Sequence, residues 1–358
     1  MFWEWYVSMA AFKIGVPELK CFRLTRNYMT LCQVIWIIYS FRQPVFERPY
    51  KVIHEADIQR SIEPMKIWGV IRRQLVDFFV YLALPLAAVF LPAAWSRSLL
   101  ARSSNFGWVL SSEAEAAWSS ASKYVDTGDE KLWKARWKQV EMLDVRDCYL
   151  MSFGRTGTVL AEVECDSDLE IVRDKVLIGM HWGPAISILK LLKVAGLDPA
   201  LPYRKPERDI FWIRPFFYMF VRLATRHIVK TMGDRAIKIG GAGKALRAMM
   251  DQPGSVIVVM DAPPKAGRPT LNSSVIGKNA IFEAGFPGIL ADNHKEYVFY
   301  ALNLQPGGLV RKKLELMGPF SANEAQDFIQ QYADFLDRHL STDSAQWRIW
   351  HVAEQFWR

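Results

Sequence analysis

The sequence predicts an α/β fold preceded by a helical, membrane-associated N-terminal region, and three stretches carry that prediction. The run DKVLIGMHWGP holds a strand's length of branched apolar residues at 176–180, after which Gly183-Pro184 opens a helical pattern. The run GSVIVVMDAPP repeats the arrangement at 256–260 and is ended by two prolines. Upstream, residues 78–95 (FFVYLALPLAAVFLPAAW) contain no charge. The expected organisation is therefore a membrane-association region over 1–105 and an α/β domain over 106–358. At 358 residues the chain can bury an ample core without staples.

Within the N-terminal region, residues 1–11 are rich in Trp, Phe and Tyr, and the apolar stretch 28–41 ends at Arg42. At fourteen residues it is too short to span a bilayer and reads as interfacial material. The basic start, apolar core and small-residue cleavage site of a secretory signal do not occur in that order, so the bulk of the chain is expected to stay in the cytoplasm. The eighteen residues of 78–95 stand at the short end for a span. Pro85 and Pro92 each remove a backbone donor, so a hairpin or re-entrant segment competes with a straight helix; a buried helix of the soluble core is the other reading. Arg72, Arg73, Arg97 and Arg102 flank both ends and leave orientation open. From 111 to about 147 the pattern turns helical, with Ser111-Ser112 ahead of Glu113 as a helix start.

The chain carries 45 Lys and Arg against 37 Asp and Glu, a net charge of +8, with 14 Trp. Cations combined with many indoles suit an anionic membrane surface. The cations are scattered and no helix-turn-helix, zinc-finger or RNA-recognition pattern organises them, so no nucleic-acid partner is expected. Cys21, Cys32, Cys148 and Cys165 form no CxxC pair and lack histidines at ligand spacing, which reads as reduced thiols and no metal site.

The candidate chemistry lies at the ends of the two strands. His181 follows the first, where open α/β sheets place reactive groups; the competing reading is a core histidine bonded to a carbonyl. The run ISILKLLKVAGL is helical to Gly196, and LPYRKPERD is a short strand delivering Arg204 and Lys205, whose charges suit a phosphate or carboxylate. IKIGGAGKALRAMM is not a phosphate loop, because Lys238 stands where Gly is required and Ala245 where Ser or Thr must be. Asp261 ends the second strand as His181 ends the first. On neighbouring strands the carboxylate would fix the imidazole tautomer and leave the other nitrogen as a base; alone, such an Asp is a loop residue or a helix cap.

In this order, these segments resemble the lysophospholipid acyltransferase superfamily, in particular the lipid A late acyltransferases that add lauroyl or myristoyl chains in Gram-negative bacteria. The likeness covers roughly residues 75–358. VLIGMHWGP resembles the family's strand, His and Gly block, including Gly183, and PYRKP its arginine-bearing block. VIVVMDAPPKAGRP is similar to the stretch ending a strand on Asp, and SVIGKNAIF to its Phe-Gly-Arg block, with Gly277-Lys278 in that place. QWRIWH, from Gln346 to His351, resembles the closing Gln-Trp and His.

The resemblance implies a mixed central sheet flanked by helices, glycerolipid acyltransferase-like, at the cytoplasmic face of the bacterial inner membrane. It implies acyl transfer from acyl carrier protein or coenzyme A thioester to a lipid, saccharolipid or other hydrophobic acceptor, with no metal or organic cofactor. His181 is the expected general base and Asp261 its orienting carboxylate. Arg204, Lys205, Gly183, Gly277 and Lys278 are expected to bind substrate, with backbone N–H groups near His181 or Arg204 stabilising the oxyanion. An apolar tunnel for the acyl chain is expected from the surplus of Trp, Phe, Leu and Met. The family's acid five residues after His is replaced by Ile186. Either the carboxylate comes from a distance, as in the mycobacterial phosphatidylinositol mannoside acyltransferases, or the enzyme works poorly, or the chain is a silent lipid-binding or partner protein. A serine hydrolase lacks its GxSxG elbow.

Overall fold

The computed structural model describes residues 64–238, 242–307 and 309–357. The expectations for residues 1–11 and 28–41, and for Cys21 and Cys32, lie outside the described residues. Contacts divide the chain at Val70/Ile71, and the second unit, Ile71–Arg358, carries the sheet and every candidate site residue. It begins upstream of the boundary expected at 105, because the helices before that point pack into the same core as the sheet.

Those helices are α1 (Pro64–Phe78), α2 (Leu84–Phe90) and α3 (Ala93–Ser104), with a π turn at Phe79–Ala83 joining the first two. Trp68–Phe90 is thus one helix, long and apolar enough to cross a membrane by length and composition, with 39% of its most apolar window buried inside the protein. Pro85 neither breaks nor folds back the chain. Within that π turn the Tyr81 carbonyl accepts a hydrogen bond from the Tyr149 hydroxyl of the later helix at 2.6 Å. The break falls at Pro92, where Leu91 is extended, as a residue before proline should be.

Next come α4 (Ser111–Ala121), α5 (Glu130–Ser152), capped by Asp129 through Leu132 N–H, and α6 (Thr156–Leu160). The remaining order is β1 (Val163–Cys165), β2 (Val176–Gly179), α7 (Ser187–Val194), β3 (Leu201–Tyr203), α8 (Asp209–Ile213), α9 (Pro215–Met232) and β4 (Ala236–Lys238). It continues through α10 (Ala242–Met250), β5 (Val256–Val259), β6 (Thr270–Val275), β7 (Lys278–Glu283), α11 (Gly285–Asp292), β8 (Glu296–Leu304), β9 (Lys312–Ser321) and α12 (Ala325–Asp343).

The central sheet is mixed, in the order β1-β9-β8-β2-β5, with β2 parallel to both β5 and β8, and β8 antiparallel to β9. A parallel bridge from Ala200 to Val256 sets β3 beside β5, and β4 pairs parallel with β3. Five strands, β8, β2, β5, β3 and β4, therefore end at one rim. Alternation along them separates two cores. Val176, Ile178, Val256, Val258 and Phe299 pack with α5 and α12, while Leu177, Ile257, Val298 and Tyr300 pack with α7. An ion cluster pins α5 to the far edge: Arg146 binds Glu162 through two bonds of 2.7 Å, and Lys312 reaches Asp147, with all four nearly sealed from solvent.

Candidate active site

Register alone brings the dyad together. Val176 pairs with Val256 and Gly179 with Val259, a constant offset of eighty, and Met260 N–H still bonds Gly179 O at 3.0 Å. Two residues further along each strand, the same offset sets His181 against Asp261. Asp261 is wholly buried and accepts three hydrogen bonds: His181 Nδ1 to Oδ1 at 2.8 Å, the His181 backbone N–H to Oδ2 at 2.7 Å, and Trp347 Nε1–H to Oδ2 at 2.7 Å. An ionised carboxylate only accepts, so Nδ1 carries the proton and Nε2 the lone pair. Nε2 has no partner among the described residues, and the His181 side chain is 46% exposed. Crowding against the protein opposes the imidazolium, but the charge and hydrogen bond of Asp261 outweigh it and hold the His181 pKa above its ordinary value.

The C-terminal segment clamps the loop that carries His181. Trp347 bridges Trp182 antiparallel, Gly183 N–H donates to Gln346 O at 2.9 Å, and Arg348 N–H donates to His181 O at 2.9 Å. Arg348 is anchored in turn on α5, to Glu141 at 2.8 and 3.0 Å and to Asp144 at 2.7 Å. The second oxygen of Asp144 takes the Ile186 N–H at 3.0 Å. A carboxylate thus does lie at position 186, but it comes from α5 and serves the backbone. Glu141, Asp144, Trp347 and Arg348 were given no role from sequence. The signal available for the first two was a pair of acids three apart in the otherwise apolar run VEMLDV, which buries charge on a helix and so demands a partner.

The other expected site residues separate. Gly183 is a packing residue: its φ is +56° and a Cβ there would lie 2.0 Å from Leu302 O. Its N–H is spent on Gln346, and the N–H groups of His181, Trp182 and Ile186 are likewise committed, to Asp261, Met180 and Asp144. These four N–H groups are therefore not free to hold an oxyanion. Arg204 and Lys205 follow β3 on the rim shared with the dyad, two strand spacings or about 10 Å from β2. Both are exposed, and Arg204 is paired with Glu207. Gly277 instead forms, with Ile276, the positive-φ pair of a two-residue hairpin turn between β6 and β7. Lys278 donates to Lys123 O at 3.5 Å and lies over the Tyr124 ring, with no contact to the dyad.

A cavity of about 830 Å³ lies behind Trp182, lined by Arg136, Glu315, Arg338, His339 and Asp343 among others. Neither dyad residue lines it, and Leu132, Leu304 and Leu309 share its walls with those charged groups. Among the described residues no group of three His, Cys, Asp or Glu is placed to hold a metal ion. No protein-family model matches this chain, and no curated protein sequence matches it.

Proposed function

We propose that the protein is a membrane-associated acyltransferase of glycerolipid acyltransferase-like fold, related to the lysophospholipid acyltransferases. It moves an acyl chain from acyl carrier protein or coenzyme A thioester to a hydroxyl or amine of a lipid, saccharolipid or other hydrophobic acceptor, at the cytoplasmic face of the bacterial inner membrane. The observation that supports this most is the 2.8 Å bond from His181 Nδ1 to a fully buried Asp261, with Nε2 left unpartnered among the described residues.

In this reading Nε2 takes the acceptor's proton as its oxygen or nitrogen bonds to the thioester carbonyl carbon. Collapse of the tetrahedral intermediate breaks the C–S bond, and the departing thiolate receives the proton from the imidazolium. Asp261 stays ionised throughout, orienting the ring and stabilising its cationic form. With the N–H groups of His181, Trp182, Gly183 and Ile186 committed, Arg204 and Lys205 on the same rim supply positive charge for the oxyanion or the acceptor's phosphate. The missing acid at Ile186 is no obstacle, because Asp261 supplies the orienting carboxylate.

The test is thiol release and acyl-product formation by purified protein given acyl carrier protein and coenzyme A thioesters. His181→Ala should lower the rate by about a hundredfold to ten-thousandfold. An unchanged rate would remove His181 from the mechanism.

A further inference from the structure

Net positive charge is locally high in one short segment. Residues 204–230 hold seven Lys and Arg against two Asp and Glu, a net +5 of the chain's +8. Two of these cations are tied down, Arg214 to buried Asp77 at 2.7 and 2.8 Å and Arg204 to Glu207. Lys205, Arg208, Arg222, Arg226 and Lys230 are exposed and have no ion pair among the described residues. On α9 the last three recur every four residues, along one face of a helix without a single carboxylate. Like charges at that spacing destabilise a helix, so the arrangement calls for an anionic counterpart.

The same segment exposes large apolar side chains. Phe211, Trp212 and Met219 are solvent-accessible, as are Leu75 and Phe78 of the neighbouring α1. They form one stitched surface: Phe78 meets Phe216 edge-on with ring centroids 5.3 Å apart, Phe211 meets both Trp212 and Tyr218, and Gln74 donates to Ile213 O at 2.8 Å. The opposite face of the α1–α2 helix, with Asp77, Val80, Tyr81, Leu84 and Ala88, is buried in the protein. A helix packed on one side and greasy on the other lies along a bilayer rather than through it. An acidic protein face would answer the cations but not the aromatic rings, whereas an anionic bilayer answers both.

We infer that α8, α9 and the outer face of α1 form a docking surface for an anionic phospholipid bilayer, with the rings in the headgroup layer and the cations on lipid phosphates. This deepens the acyltransferase reading and rests on it for its purpose: the segment leaves β3 at the rim that bears His181.

The experiment is vesicle flotation of the full chain with phosphatidylcholine vesicles, with and without phosphatidylglycerol, in low and high salt. Binding should favour the anionic vesicles and weaken with salt. Each cation contributes about 1 kcal/mol at such a surface, a factor of about five, so Arg222→Ala/Arg226→Ala should bind about 25-fold more weakly. Trp212→Ser should weaken binding to both vesicle types. Acyl transfer to a detergent-dispersed acceptor, measured in parallel, should not change in the Arg222/Arg226 variant, which lies outside the dyad. Wild-type-like flotation of that variant overturns the surface, as does retention on an acidic carrier protein with no preference for anionic vesicles. Salt-sensitive flotation without acyl transfer would instead leave the surface standing and sink the enzymatic reading.

Discussion

Replacing Asp261 by Asn should disable His181 by reversing its tautomer. Three N–H donors converge on the carboxylate, two on Oδ2 (His181 N and Trp347 Nε1) and one on Oδ1 (His181 Nδ1). An amide has only one acceptor oxygen. Seated at Oδ2 it keeps two hydrogen bonds, while at Oδ1 it keeps one and points its NH2 at two donors. At about 1 kcal/mol per bond, with a further penalty for each donor left facing another, the first orientation wins by 2 kcal/mol or more. The amide NH2 then faces Nδ1, which must accept; the proton moves to Nε2, and the lone pair needed for base catalysis is gone. With the carboxylate charge removed, the His181 pKa also falls. Nitrogen-15 NMR of the imidazole reads the tautomer without any substrate, and acyl transfer should drop by about a hundredfold to ten-thousandfold. A variant that keeps its proton on Nδ1 and retains its rate would refute the reasoning.

Three further outcomes follow from the same coordinates. Because Asp261 holds His181 above its ordinary pKa, near 6.5, the rate should rise with pH through a midpoint above that value, as the base must be neutral. Stability from the same pair is complete below the unfolded pKa and is lost as pH rises through the folded one, so denaturant midpoints and rates should move oppositely across that window. Gly183→Ala sets a side chain in a left-handed conformation against a carbonyl 2.0 Å away, and urea unfolding should show a loss of about 2 kcal/mol or more. Tyr149→Phe removes the hydroxyl that donates to the buried Tyr81 carbonyl and should cost about 1–3 kcal/mol in urea unfolding; an unchanged unfolding midpoint would contradict the assignment.

The strands bearing the dyad were legible because their runs of Val and Ile are continuous and bounded, at 176–179 and 256–259. Ends shifted by a few residues: α7 begins at Ser187 because Gly183 is held against Leu302 O and cannot start a helix. The clamp was hidden because its parts, α5 and the C-terminal segment, lie some two hundred residues apart, and periodicity does not record which helix meets which loop. The Ile276-Gly277 turn was hidden because its first position is a β-branched residue at positive φ, where the usual hairpin signal is Asn or Asp before Gly. Which of Pro85 and Pro92 would break the helix was not legible either: the helix runs through Pro85 by way of a π turn and ends where Leu91 turns extended before Pro92.

The parallel ladder between β2 and β5 has a consequence for how this centre tolerates change. Whatever is inserted into or trimmed from the excursion between those strands, His181 and Asp261 stay face to face, since backbone pairing and not chain length measures their separation. Deleting one residue inside either strand does the opposite: it turns the imidazole (from β2) or the carboxylate (from β5) to the far side of the pleat and unmakes the pair at a stroke.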